Sequence, residues 1–268
     1  MVDRNVGSHS FKLVTGYRRL DELNQKLENF SYRVLKEDCL DLPEKIYMKR
    51  IVPLSPEQLK AYTEMKKHAI TELEGRQTTA ASALAQLVRL HQITCGHLAL
   101  DDGEVKTLKN NRIKELLDIL EEIDGKVIIW AIYRHDIKEI TNVLSERYGA
   151  NSVASFFGDT ADRDRQDIVD RFQDRESDLR FFVGNPRTGG YGLTLTASHT
   201  VIYYSNSYDL EIRLQSEDRA HRISQKEKVT YIDLISEGTV DEYIVKNLRG
   251  KINLATKILG EDLKKWLI

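Results

Sequence analysis

The sequence predicts a three-layer α/β domain on a mainly parallel sheet, preceded by a mostly helical section. Three observations carry this prediction. From residue 111 onward, short apolar runs alternate with amphipathic helical segments, and such alternation requires parallel crossovers with helices on both faces of a sheet. The first 110 residues lack that alternation and read as helices joined by short connectors. At 268 residues the chain has room for one large α/β domain with a smaller appendage.

The front section is punctuated clearly. YRRLDELNQKLENF (17–30) repeats apolar or aromatic residues at helical spacing, and KIYMKRIVPL (45–54) suits a strand or an extended connector. SPEQLKAYTEMKKHAITELEG (55–75) opens with Ser55 as N-cap and Pro56 at the first helical position, and closes on Gly75. A further helix is expected over 81–94. The alternating part then predicts a helix (112–123), the strand KVIIWAI (126–132) and a helix (135–147). SVASFF (152–157), a helix (161–173) and RFFVG (180–184) follow. TVIYYS (200–205), a helix from Leu210, KVTYIDLIS (228–236) and a final helix from Thr239 to about Leu259 complete the series. Trp130, Tyr203 and Tyr204 fall on strands and are expected to pack there; His91 and His97 are expected to be structural. The fold this describes is RecA-like or Rossmann-like, and ligands of such sheets collect beyond the carboxyl ends of the strands.

Composition removes several classes of function. Forty basic and 42 acidic side chains leave a formal charge of −2, so no global basic field marks a nucleic-acid binder, although a local groove is compatible with that total. Cys39 and Cys95 make no disulfide framework and suit a reducing compartment. Cys95-Gly-His97 lacks a second ligand pair at zinc-like spacing, so no metal site is expected. No apolar run approaches the roughly 20 residues of a membrane span, and the N-terminus has no signal core. An intracellular, soluble, monomeric protein is expected, in the cytoplasm or nucleoid of a bacterium or virus-infected cell, or in a eukaryotic nucleus.

Two segments carry chemistry. In NPRTGGYGLTL (185–195), Gly189, Gly190 and Gly192 allow close backbone approach to a phosphate, or simply serve a turn that needs glycine. A dinucleotide fingerprint would need glycine or alanine at Leu195 and an early position in the fold, which argues against a Rossmann-type enzyme. No Walker A loop ending in Gly-Lys-Ser or Gly-Lys-Thr occurs. In LEIRLQSEDRAHRIS (210–224), Arg219 and Arg222 are three apart, so a helix would project them from one face with Glu217 and Asp218 beside them. Paired guanidinium groups suit phosphate oxygens; an ion-paired surface helix accounts for the same residues.

Together these segments resemble the fifth and sixth motifs of the Swi/Snf-type ATPases of helicase superfamily two. GGYGLTLTAS, TVIYYS and QSEDRAHRISQ follow that order, with Gln215, Asp218, Arg219, His221, Arg222, Ile223 and Gln225 on pattern. YRVLKEDCLDLPEK (32–45) resembles the segment joining the family's two lobes, KVIIWAIYRHDIKEI its fourth motif, and GDTADRDRQDIVDRFQ its Gly…Arg…Phe element. EGTVDEYIVKNLRGKINLATKIL is similar to its closing brace helix. Four departures stand out: Thr194 replaces the usual asparagine, Ser224 replaces a glycine, Pro186 precedes the loop, and SNSYD (205–209) stands where Trp-Asn-Pro is usual.

The resemblance implies the C-terminal RecA-like lobe of an ATP-dependent double-stranded-DNA translocase or helicase-like remodeller. Residues 1–110 would be inter-lobe connector and helical section, 111–238 the lobe, and 239–268 the brace. Arg219 and Arg222 would act as catalytic arginine fingers, with Gly190, Gly192, Gln215 and Asp218 on the nucleotide side. Arg134, His135, Gly158, Arg187 and Thr188 would grip the DNA backbone. ATP and Mg2+ would serve the complete protein, with Mg2+ held mainly by an N-terminal lobe expected upstream of Met1. Lacking a Walker A lysine and an Asp-Glu-x-His box, this chain alone is expected to be inactive. The alternative is a non-catalytic DNA-binding or protein-docking module with degenerate helicase motifs.

Overall fold

The computed structural model describes residues 2–6, 9–13, 19–31, 40–74, 80–100, 103–189 and 192–259. Gly75, Cys39, Gly190 and the start of the 17–30 helix lie outside these residues. The front part begins with an antiparallel hairpin of β1 (Val2–Val6) and β2 (His9–Leu13), followed by α1 (Leu20–Glu28). β3 (Lys45–Ile51), α2 (Pro56–Glu74), α3 (Ala80–Cys95) and the small hairpin β4 (His97–Ala99) with β5 (Val105–Thr107) follow. Then come α4 (Arg112–Glu121), β6 (Val127–Trp130), α5 (Arg134–Tyr148), β7 (Val153–Phe156) and α6 (Asp162–Gln173). The chain closes with β8 (Phe181–Gly184), α7 (Pro186–Gly189), β9 (Thr200–Tyr203), α8 (Leu210–Glu217), β10 (Val229–Ile235) and α9 (Val240–Leu259).

Six strands form one sheet in the order β3-β10-β9-β6-β8-β7, every pair parallel. Successive strand residues face opposite sides, so the sheet has two cores. On one side Val127, Ile129, Phe181, Val183 and Ile202 meet Leu116, Ile119 and Leu120 of α4 and Ile137, Ile140 and Leu144 of α5. On the other, Ile128, Trp130, Phe182, Val201 and Tyr203 meet Val169 and Phe172 of α6, together with Leu195 and Ala220 from the loops. Full burial of each such side chain stabilises the fold by roughly 1.5–3 kcal/mol. Trp130, Tyr203 and Tyr204 are buried in the sheet, as the sequence predicts.

The front section is less helical than expected. It contributes two hairpins, and residues 45–51 form the edge strand of the main sheet beside β10 rather than a free connector. The N-cap of α2 is built as predicted and elaborated. Ser55 Oγ accepts from Gln58 N at 3.1 Å while Gln58 Oε1 accepts from Ser55 N at 3.0 Å, a reciprocal capping box. Gln58 Nε2 also donates to the Ile93 carbonyl at 2.8 Å, fastening α2 to the end of α3.

The start of α9 is fixed by a buried arginine. Arg112 Nη1 donates to the Tyr204 carbonyl at 2.5 Å, Nη2 donates to Ser236 Oγ at 3.1 Å, and the same nitrogen is paired with Asp241. Asp241 also accepts from Ser236 N at 3.0 Å and Thr94 Oγ1 at 2.8 Å. One ion pair therefore joins α3, α4, α9 and the carboxyl end of the sheet.

Candidate functional site: an arginine pair on the glycine loop

Strand register brings four predicted loops to one edge. Trp130 lies opposite Gly184 and Tyr203, and Phe156 opposite Gly184, so the segments after β6, β7, β8 and β9 emerge together. Asn185 fastens two of them: its Nδ2 donates to the Ile132 carbonyl at 2.9 Å, and its Oδ1 accepts from Arg187 N at 2.9 Å. Pro186 opens the short α7, where its fixed φ and missing N–H cost nothing.

Arg219 and Arg222 do not leave a helix face. α8 ends at Glu217, and both arginines sit in the succession of tight turns beyond it, with Arg219 N bonded to the Ser216 carbonyl and Gln225 N to the Arg222 carbonyl. The pair converges by another route. Arg219 Nη1 donates to the Leu193 carbonyl at 3.3 Å, and Arg222 Nη1 donates to the same oxygen at 3.2 Å and to Thr194 Oγ1 at 3.4 Å. Leu195 N in turn donates to the Arg219 carbonyl at 2.9 Å, so loop and arginine turn are laced in both directions.

Gln215 and Asp218, expected on the nucleotide side, flank the arginine turn. Gln215 holds Arg219 through its main chain, its carbonyl accepting from Arg219 Nε at 2.9 Å; its side chain instead donates to Glu211 at 2.9 Å. Asp218 lies 3.9 Å from Lys45 Nζ. Arg219 is half-buried, and burial followed by the neighbouring Arg222 charge lowers its pKa, partly offset by Asp218. Arg222 is exposed. Gly192 takes φ +76°, a left-handed conformation that glycine adopts without steric cost. Ser224, standing where the family pattern has glycine, takes φ +87°, so that departure strains the backbone of the arginine turn.

The predicted DNA-side residues divide into three places. Arg187 and Thr188 line a groove of about 440 Å³ with Phe156, Arg165, Gln166, Val169 and Leu193. Leu193 thus both lines the groove and holds the two arginines with its carbonyl. Arg134 is 68% exposed and pairs with Asp159 at 2.9 Å; a Cβ on Gly158 would lie 3.2 Å from its Nη2, so the glycine admits the guanidinium. His135 faces another way: its ring stacks on His97 with centroids 4.7 Å apart, and its Nε2 lies 3.1 Å from Thr107 Oγ1.

Arg213 is an arginine that the motif reading passed over. It is fully buried, donating to Glu217 Oε1 at 2.8 Å, Asn206 Oδ1 at 2.6 Å and Asp233 Oδ1 at 2.5 Å, with its guanidinium 3.4 Å above the Tyr203 ring. Asn206, from the divergent SNSYD, also donates to Asp233 at 2.7 Å. Burial pushes the Glu217 carboxyl up, but Lys45, Arg213 and the Tyr47 hydroxyl outweigh it and hold the pKa at about 2. The network carries α8, and with it the arginine turn, on β10.

A parallel sheet covered by helices on both faces, with an arginine pair laced to the loop after β8, makes a RecA-like lobe. The model of the helicase conserved C-terminal domain matches residues 108–224. YwqA of Bacillus subtilis (strain 168), provisionally named an ATP-dependent helicase/translocase, is 31% identical over 263 residues, covering 93% of this chain and 28% of YwqA. The SWI/SNF chromatin-remodeling complex subunit snf22 of Schizosaccharomyces pombe is 29% identical over 255 residues, covering 90% of this chain and 15% of snf22. Among solved structures, the Sulfolobus solfataricus SWI2/SNF2 ATPase core in complex with double-stranded DNA superimposes with a TM-score of 0.65 at 27% identity, covering 92% of this chain and 53% of that one. The separate C-terminal domain of the Sulfolobus solfataricus SWI2/SNF2 ATPase gives a TM-score of 0.60 at 25% identity, covering 84% and 93%. The chain is similar in fold and sequence to the C-terminal lobe of the Swi/Snf-type ATPases of helicase superfamily two. It spans well under a third of the two curated relatives.

Proposed function

We propose that this lobe supplies arginine fingers and DNA-backbone contacts to an ATP-dependent double-stranded-DNA translocase completed by an N-terminal RecA-like lobe. The observation that carries the reading is the shared Leu193 carbonyl, on which two guanidinium groups meet beside Gly192. Each arginine has five N–H donors, and those bonds leave donors on both for phosphate oxygens. A finger of this kind contributes about 10³-fold or more to phosphoryl transfer. On this reading ATP is shared with the other lobe, which holds Mg2+ for the most part, and the isolated chain binds DNA and hydrolyses ATP negligibly.

The groove above Leu193 suits a phosphate backbone because Arg165, Arg187 and Thr188 line it beside apolar Phe156 and Val169. Contacts of that type are sequence-independent and weaken with salt. The test is Arg222→Ala in the two-lobed protein. DNA-stimulated ATP turnover should fall by about 10³-fold while DNA affinity stays within a fewfold. Unchanged turnover would refute the finger assignment and favour a docking module.

A further inference from the structure

Outside the arginine site, His97 of β4 and His135 and Asp136 of α5 converge in a way that the ATPase reading does not use, each offering a ligand atom within 4.8 Å of the others. His97 Nδ1 lies 2.8 Å from Asp136 Oδ1, and His135 Nδ1 lies 3.8 Å from that same oxygen. Glu139 Oε2 is 3.9 Å from His135 Nδ1. Asp136 is fully buried and His97 nearly so, whereas the His135 and Glu139 side chains are about a quarter exposed.

These atoms are short of partners. His97 Nδ1, His135 Nδ1, both Asp136 oxygens and Glu139 Oε2 are buried and make no aligned hydrogen bond. A carboxylate buried in that condition calls for a compensating positive charge. The two imidazole rings stack face to face beside it, with centroids 4.7 Å apart and 28° between their planes.

We propose that His97, His135 and Asp136 bind a divalent transition-metal ion, with Zn2+ the best match. Two imidazole nitrogens and a carboxylate are donors of the type Zn2+ accepts, at about 2.0–2.2 Å per bond, with water taking the fourth position. Tetrahedral donors at that radius stand about 3.3 Å apart, between the 2.8 Å of His97–Asp136 and the 3.8 Å of His135–Asp136. Glu139, four residues after His135 on α5, stands 3.9 Å from its Nδ1 as a neighbouring charge outside the ligand set. Thr107 Oγ1 beside His135 Nε2 can accept that N–H, which leaves the Nδ1 lone pair turned to the ion. The N-terminus of α5 opposes a cation with about half a charge, and the Asp136 carboxylate exceeds that. The ion would clamp the β4–β5 hairpin to the start of α5, next to Arg134.

The site is independent of the finger assignment, and its test reads metal directly. The full chain, stripped with a chelator, is titrated with Zn2+ alone by calorimetry and with Co2+ by visible absorption. One equivalent should bind, Co2+ should give the strong visible band of a four-coordinate site, and Zn2+ should raise the unfolding temperature. His135→Ala, which removes a ligand, should weaken Zn2+ by about a hundredfold or more, and Glu139→Gln, which changes the charge beside that ligand, by about tenfold, as outer-shell changes do. Both side chains are partly exposed, so the variants keep the core; should His135→Ala not fold, Glu139→Gln decides alone. No saturable binding, or binding unchanged in the folded variants, overturns the proposal.

Discussion

Replacing Arg213 with alanine separates an arginine that builds the site from the two assigned to chemistry a few residues further on. The change removes charged bonds to Asp233 and Glu217, one to Asn206, and a guanidinium 3.4 Å above Tyr203. Glu217 keeps Lys45 at 3.1 Å and Tyr47 at 2.8 Å, whereas Asp233 keeps only the bond from Asn206 at 2.7 Å among the described contacts. The stranded Asp233 charge therefore sets the cost, and removing one partner of a buried pair costs about 3–5 kcal/mol. That is a large share of the roughly 5–15 kcal/mol stability of a folded domain. At about 2–4 °C per kcal/mol for a chain of this size, the unfolding temperature should drop by about 10 °C. Circular dichroism at pH 7 measures both, the free energy by urea unfolding and the temperature by heating. Arg222→Ala, truncating an exposed side chain, should cost under about 1 kcal/mol. Combining Arg213→Ala with Asp233→Ala should recover about 2 kcal/mol relative to the sum of the single changes. Arg213→Ala and Arg222→Ala falling within 1 kcal/mol of each other would refute the argument.

Three further outcomes are expected. Ser224→Gly should stabilise the chain by about 0.5–1 kcal/mol in the same urea assay, because φ +87° strains a residue with a Cβ. Burial, with Arg112 adding to it and Asp241 opposing, lowers the His91 pKa to about 4, so at neutral pH its 3.6 Å contact with Asp241 is not an ion pair. An unfolded histidine titrates near 6.5, so below that pH the unfolded state takes up a proton that the folded state refuses. Stability from His91 is then lost as pH falls from about 6.5 to about 4, by about 2.5 kcal/mol between pH 7.5 and 4.5, and His91→Gln should abolish that portion. Arg187→Ala should weaken duplex DNA binding equally across sequences and reduce the slope of log affinity against log salt by about one; a sequence-dependent loss would refute backbone contact.

How far the sequence could be read depended on the range of the interaction. The N-cap at Ser55 was legible because cap and Pro56 are neighbours in the chain, whereas the reciprocal bond from Gln58 emerged only in the structure. Every strand of the alternating part was legible because two-sided burial imposes an apolar run that local composition displays. The turns holding Arg219 and Arg222 were misread as helix, because their geometry depends on the Leu193 carbonyl more than 25 residues earlier. Ser224 looked like a mere departure until its left-handed backbone gave the family glycine a physical purpose.

The sequence by itself determined the layered α/β class and displayed both the resemblance and the close spacing of Arg219 and Arg222, because periodicity and motif spacing are local properties. Tertiary structure alone decided that residues 45–51 close the sheet beside β10, that Arg213 is a buried strut, and that His97 meets His135 and Asp136. Those facts rest on contacts between residues tens to nearly two hundred positions apart. Long-range pairing is set by which surfaces the folded core brings together, and no local pattern encodes it.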